Sequence, residues 1–303
     1  MKSILIIFFC AFTAAVQSAS VIKDSSFLTL AWLSGVDSFT FKASQSSQCE
    51  ALSTGETDLR NCITRNVSGI VAKDGRYRYE IENLSGPDKG TRWVIAYNGK
   101  VTSILESING VNSAFIKRGP TSEDPFLARV NPVLLPFMFL KEKSLLPGDM
   151  GTYLSVSDLA AGELIQTWLK DANLKSESTS TIELSHAISA SKDQHFTVSV
   201  VFDKEANLPQ SVHLSSSSGN EDQTQQFQWK KWKIKEGAEV SIPFVSTVTL
   251  YSVFQGLKCN FKSEIVSFEV QSAVPNSSFE IDLSKVDRVY DRDQDIIIPL
   301  KKE

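Results

Sequence analysis

The sequence predicts a mainly β protein with inserted helices, in which a curved antiparallel sheet forms an unclosed half-barrel with a helical lid. Three observations lead there. Apolar and polar side chains alternate with a period of two within residues 37–118, and runs rich in β-branched and aromatic residues between turn residues follow through 181–270, the marks of strands. Hairpin-type turns separate these runs. Between the two halves lies a stretch with few polar residues, 126–140, interrupted by Pro132 and Pro136. A long sheet with helices inserted in mid-chain is the simplest arrangement for that order.

The N-terminus sets the compartment. Met1-Lys2-Ser3 is a short basic start, residues 4–16 are an apolar run, and Ser18-Ala19-Ser20 offers a cleavage site. This is the layout of a secretory signal peptide over 1–20, and the run is shorter than the ~20 apolar residues of a membrane span. Ile7-Phe8-Phe9 precede Cys10, where a lipid-attachment site wants small residues. Residues 21–303 are therefore expected to be one exported domain, periplasmic or extracellular. Lys and Arg total 31 against 35 Asp and Glu, a net charge of −4. Loss of residues 1–20 removes Lys2 and no acid, so an acidic surface remains and a nucleic-acid partner is not expected. Of the three cysteines beyond the leader, Cys49 and Cys62 could close a small loop and leave Cys259 buried and free, although spacing alone does not fix connectivity.

Along the chain, residues 24–35 read as a short helix capped by Asp24 or Ser25, with Phe27, Leu28, Ala31 and Trp32 on one stripe and Gly35 at its end. The meander follows. Phe39 and Phe41 alternate with Thr40 and Lys42, and Arg76–Ile81 places Tyr77, Tyr79 and Ile81 on one face. Lys73-Asp74-Gly75 and Tyr97-Asn98-Gly99-Lys100 are hairpin turns. Asp124-Pro125 suits an N-cap followed by proline at the first helical position, and the two later prolines kink or interrupt any helix over 126–140. A second helix is expected over 157–172, with Leu159, Ala160, Leu164, Ile165, Trp168 and Leu169 inward. Strands resume at 181–190, 195–202, 208–215, 224–235, 241–253 and 258–270, and 279–290 adds one more.

Little in the sequence nominates catalysis. His186, His195 and His213 lack the spacing of ligands to one metal, and no nucleophile elbow, zincin helix or phosphate-binding glycine loop is present. Asp291, Asp293 and Asp295 imitate the start of a calcium loop, but Ile296 stands where glycine is needed and Lys302 where the closing glutamate is needed. An enzyme, a cofactor and a metal are not expected. Trp229-Lys230-Lys231-Trp232-Lys233-Ile234-Lys235 reads as a lysine-protected edge strand with a bulge.

The segment 126–140 is the anomaly. A helix apolar on all sides must be buried on all sides, so under a curled sheet it serves either as core or as a lid over an apolar cavity. The helix at 27–33, the meander with Arg76–Ile81 and 93–97, the inserted run 126–140, and Asn207-Leu208-Pro209 opening a returning strand after Phe202-Asp203-Lys204 together resemble the outer-membrane lipoprotein carrier superfamily (LolA/LolB-like). That resemblance implies a half-barrel closed by helices over a hydrophobic cavity, with lipid or lipoprotein transport in the cell envelope. The residues point to non-covalent binding of a lipid or acyl chain. Phe126, Leu127, Val130, Val133, Leu134, Phe137 and Phe139 are the candidate lid, and Tyr77, Tyr79, Trp93, Ile95 and Tyr97 the sheet side. A membrane or envelope protein is a further partner class. The alternatives are an envelope interaction module with no cavity, and a hydrolase whose base is one of the three histidines.

Overall fold

The computed structural model of this protein describes residues 35–57, 62–120, 131, 134–140, 163–189, 195–216, 222–233, 241–254, 256–271, 274–284, 286 and 288–299. They form one sheet of 15 strands. The first meander is β1 (Ser38–Ala51), β2 (Ile63–Ala72), β3 (Tyr77–Asn83), β4 (Arg92–Tyr97), β5 (Val101–Ile108) and β6 (Val111–Arg118). The second is β7 (Asn173–Glu177), β8 (Thr181–Ser189), β9 (His195–Asp203), β10 (Leu208–Ser216), β11 (Asp222–Lys233), β12 (Ser241–Phe254) and β13 (Leu257–Gln271). β14 (Arg288–Asp291) and β15 (Ile296–Pro299) follow. The spatial order is β15-β14-β6-β5-β4-β3-β2-β1-β13-β12-β11-β10-β9-β8-β7. The end strands β15 and β7 do not pair with each other, so the sheet is unclosed.

Both expected hairpin turns form: Gly75 and Gly99 take φ of 91° and 94°, a backbone region that glycine enters without steric cost. β1 and β13 join the meanders, in register from Ser38↔Gln271 to Ala51↔Leu257 with one bulge between Lys42 and Ala43. Inward side chains alternate as the sequence predicts: Phe39, Phe41, Ala43 and Gln45 on β1 are buried while Lys42, Ser44 and Ser46 are exposed.

Three expectations are revised, and the two mid-chain helical segments are described in part. Cys49 pairs with Cys259 and leaves the Cys62 thiol free. The cause is register. Cys49 and Cys259 stand directly opposite across β1 and β13, whereas Ser47↔Ile63 puts Cys62 in phase with Gln48, toward the other face from Cys49. The tail supplies two strands, and β14 lies parallel to β6, with Val289↔Ala114. The stretch 229–233 is part of an interior strand, although β10 pairs only with Asp222–Gln226 and leaves Phe227–Lys233 overhanging. Its register break falls between Gln228 and Trp229, with Ser246 of β12 as the extra residue. The expected 157–172 helix is described over Glu163–Asp171 (α1). The apolar segment carries a 3-10 helix at Leu135–Leu140, with Pro136 in its first turn, where a missing donor is tolerated. The 24–35 helix, apart from Gly35, lies outside the described residues.

The 274–286 connection crosses the outer face of β3 to reach β14. Phe279 is buried there under the Arg76 guanidinium, 4.7 Å from the ring centre, and Arg78 Nη1 donates to Glu280 O at 2.6 Å. Leu283 and Val286 complete a small outer core with Leu105, Ala114, Ile116 and Val289.

The sheet's curvature follows from reach. On a flat sheet, six strand steps would separate β3 from β10 by about 29 Å. Yet Asn131 hydrogen-bonds to β3 and the 3-10 helix that begins four residues later packs on β10 and α1. Residues of β10 and β12, and of β11 and β13, also come within 8 Å across an intervening strand, where a flat sheet would hold them about 9.6 Å apart. The sheet therefore curls around this segment, and its inner face is concave.

The disulfide spans 210 residues of chain, so in the loop-entropy account it contributes about 5 kcal/mol. Cys259→Ala should lower the urea midpoint strongly, while Cys62→Ser should shift it little. Equal midpoints for wild type and Cys259→Ala would show that the cross-link constrains nothing.

Candidate ligand-binding face

β3 and β4 present the proposed sheet side. Tyr77, Tyr79 and Ile95 are buried, and Trp93 and Tyr97 are half-buried against the same core. Alternation brings them together: Tyr77↔Tyr97, Tyr79↔Ile95 and Ile81↔Trp93 are cross-strand pairs. The Tyr77 and Tyr79 rings stack at 5.2 Å, and Tyr77 meets Tyr97 at 5.7 Å. Phe39, Phe41 and Phe268 extend the aromatic floor across β1 and β13, with Phe39 and Phe268 stacked at 5.2 Å.

Gly69 makes this floor possible. It sits between Phe41 and Tyr79 in register. A Cβ there would stand 2.3 Å from Phe41 Cε1 and 2.9 Å from Tyr79 Cδ1, so the rings occupy the space a side chain would need.

From the segment side, Leu134 and Phe137 join the same core, along with Leu135. Phe139 lies within the 3-10 helix; Phe126, Leu127, Val130 and Val133 lie outside the described residues. Asn131, which the sequence reading missed, ties the segment to the floor. Its Nδ2 donates to Tyr79 Oη at 3.1 Å, its Oδ1 accepts from Leu134 N at 3.3 Å, and its carbonyl accepts from Leu135 N at 3.0 Å. Burial, reinforced by the neighbouring Tyr77, holds the Tyr79 hydroxyl above the ordinary tyrosine range, with the Asn131 hydrogen bond acting the other way. From α1, Ile165, Trp168 and Leu169 join the same core, with Trp168 packed on His186 of β8.

The inner face also carries a buried polar group that the sequence reading passed over. Arg65 Nε donates to Gln45 Oε1 at 2.7 Å, and Gln45 Nε2 donates to Ser263 Oγ at 3.2 Å. The signal was parity: Gln45 is in phase with Phe41 and Ala43, and Arg65 with Val67.

The histidines do not converge. His186 packs edge-on against Trp168 at 5.9 Å, His213 Nδ1 meets Thr224 Oγ1 at 3.0 Å, and His195 opens β9. By strand parity His186 shares the inner face with Leu184, whereas His213 lies in phase with Ser199 on the outer one. Among the described residues no group of three His, Cys, Asp or Glu could hold a metal. Two depressions of about 420 and 310 Å³ lie on the outer face around Lys42, Ser68 and Glu80. Their walls balance Arg78 and Arg92 against Glu82 and Glu269, which favours neither an anion nor a cation.

No family model and no curated protein matches the chain. Comparison with solved structures finds distant likenesses. A putative outer membrane lipoprotein-sorting protein domain from Vibrio parahaemolyticus is 11% identical with a TM-score of 0.44, covering 88% of this chain and 97% of that one. A DUF1329 family protein from Desulfovibrio piger is 10% identical with a TM-score of 0.43, covering 88% and 96%. A LolA superfamily protein from Nitrosomonas europaea is 9% identical with a TM-score of 0.38, covering 80% and 90%.

Gly69→Ala should cost about 1–3 kcal/mol in urea unfolding, because the floor is then overpacked. Tyr79→Phe should cost about 1–3 kcal/mol by removing the acceptor of a buried amide. The pH dependence has a definite sign. The Tyr79 pKa is raised on folding, so its contribution is complete below ~10, the free tyrosine value, and declines as pH rises through the folded value. Wild type should therefore lose stability more steeply than Tyr79→Phe above ~pH 10, as measured by urea midpoints at stepped alkaline pH.

Proposed function

We propose that this is an exported, non-enzymatic protein that binds a lipid or other apolar ligand, non-covalently, on the concave face of its sheet, and that it serves lipid or lipoprotein transport in the cell envelope. Residues 1–20 act as the signal peptide and 21–303 as one half-barrel domain, with residues 124–172 as its lid. Phe126, Leu127, Val130, Val133, Leu134, Phe137 and Phe139 contact the ligand from the lid. Tyr77, Tyr79, Trp93, Ile95 and Tyr97 contact it from the sheet.

The observation that carries this reading is how the segment is fastened. Leu134, Leu135 and Phe137 are buried on an apolar floor, while the backbone N–H groups of Leu135 and Phe137 bond back within the segment. Apart from the Asn131–Tyr79 hydrogen bond, which water or a polar ligand group must replace, the described part of the segment is seated by apolar contact, and each ligand methylene buried in its place returns ~0.8 kcal/mol. Burial of the same side chains also supports a second reading, an envelope interaction module with a filled core.

Titration with the apolar dye 1-N-phenylnaphthylamine separates the two. Binding should be saturable, with a blue-shifted emission that oleate displaces. Phe137→Ala should bind the dye several-fold more tightly, because it raises the population of the open state. Absence of saturable binding in both proteins would end the ligand reading and leave the interaction module.

A further inference from the structure

On the concave face the apolar floor ends at a polar row. Phe39, Phe41 and Ala43 lead to Gln45 along β1, and Tyr77, Tyr79 and Ile81 lead to Asn83 along β3. From Phe39 to Ala43 the floor runs about 14 Å at strand rise before the row begins. The row itself crosses four strands through direct partners: Ser263↔Gln45, Gln45↔Arg65 and Arg65↔Asn83. Ser263, Gln45, Arg65 and Asn83 are 5%, 1%, 7% and 4% exposed, so the row is as deep as the core beside it.

Three of the four are joined to one another. Arg65 Nε donates to Gln45 Oε1 at 2.7 Å, and Gln45 Nε2 donates to Ser263 Oγ at 3.2 Å. Asn83 stands opposite Arg65 across β2 and β3, yet its Oδ1 is buried and accepts no hydrogen bond. The backbone of Asn83 is used in full: its N–H donates to Thr91 O at 3.0 Å, and its carbonyl accepts from Gly90 N at 2.8 Å. The residue is thus fixed at the end of β3 while its carboxamide oxygen is left without a donor. A buried acceptor in that condition destabilises a fold, and in a native protein it calls for a counterpart.

Hydrogen-bond chemistry narrows what that counterpart is. A hydroxyl donates to Asn83 Oδ1 and can accept as well, so it satisfies the carboxamide whichever way the amide is turned. A carboxylate or a methyl ester brings no proton for Oδ1. An ammonium would donate, but the Arg65 guanidinium directly opposite carries the same sign. Position agrees: β3 ends at Asn83 and β2 starts two residues before Arg65. On these strands the row lies at the rim of the sheet, where a head group stops when its tail lies on the floor.

We infer that this row is the head-group subsite of the concave face, and that the ligand is an amphiphile with a neutral, hydroxyl-bearing head, of the acylglycerol class. The tail lies along the strands on the aromatic floor, in place of the apolar segment, and a head hydroxyl bonds to Asn83 beside Arg65. This rests on the apolar-ligand reading above and adds the orientation of the ligand and the chemistry of its head.

The test uses the full chain loaded with 1-N-phenylnaphthylamine and displaced by 1-monooleoylglycerol, methyl oleate or oleate, which share one tail and differ in the head. On wild type the monoglyceride should displace the dye at about tenfold lower concentration than the methyl ester or oleate, the size of one buried hydrogen bond. In Asn83→Leu the monoglyceride and the ester should displace it equally. The urea midpoint of ligand-free Asn83→Leu should equal or exceed that of wild type, because the orphaned acceptor is gone; a purely structural asparagine would move it the other way. Equal displacement by monoglyceride and ester on wild type overturns the subsite, and oleate matching the monoglyceride overturns the neutral head. A preference kept in Asn83→Leu, or a midpoint well below wild type, overturns the role of Asn83. In each of these cases apolar binding itself stands; if wild type binds no dye and none of the three lipids, both readings fall.

Discussion

The pairing of β1 with β13 is the constraint on which the rest depends. Each meander is locally connected, but the two halves share a sheet only because residues far apart in sequence meet along the whole length of β1. Such non-local contact carries a large loop-closure cost, and the Cys49–Cys259 cross-link sits on this seam. The register of the seam also decides which side chains face inward, because a slip of one residue would turn every side chain of β1 to the other face. The bulge at Lys42/Ala43 inserts Val266 on β13, which keeps Phe41 opposite Phe268 on one side of it and Ala43 opposite Ile265 on the other. Both pairs are thereby held in the core.

With that register fixed, the concave face divides along the strands. Toward the Ser38 end of β1 lie Phe39, Phe41, Tyr77, Tyr79 and Phe268. Toward the Cys49 end lie Gln45, Arg65 and Ser263, joined by hydrogen bonds. A buried guanidinium is costly unless its donors are satisfied, so Gln45 and Ser263 belong to the support of Arg65 as much as to the face. The apolar segment covers the first zone, through Asn131 on Tyr79, which leaves the polar zone to a separate role in the core.

Local features of this fold were legible because their causes are local. The hairpins at Gly75 and Gly99 follow from turn chemistry, and Phe39, Tyr77, Tyr79 and Ile95 follow from a period of two. What escaped the sequence was set by partners distant along the chain. The register that opposes Cys49 to Cys259 cannot be read from spacing, nor can the parallel docking of β14 on β6, which depends on the 274–286 crossing being held by Arg76 and Arg78. Gly69 looks like any strand glycine until Phe41 and Tyr79 are placed on either side of it. Asn131 reads as a polar residue beside Pro132; only the curled sheet brings Tyr79 within its reach.

An unclosed sheet must also manage its edges, and the way β15 does so bears on function. The strand is only four residues long, ends in Pro299, which lacks a donor, and follows a turn rich in aspartate, all of which discourage another chain from adding to it. Those devices act on the backbone and on the turn. They do not account for Ile297, whose side chain points into the concave face and is largely bare. A protein concerned only with solubility would place a polar residue there, since nothing in the backbone pairing with Tyr290 requires isoleucine. Edge protection therefore explains the length and ending of β15, while the inward isoleucine is explained by continuity with Tyr290, Phe115 and Ile104, the same apolar surface that becomes core at Ile95.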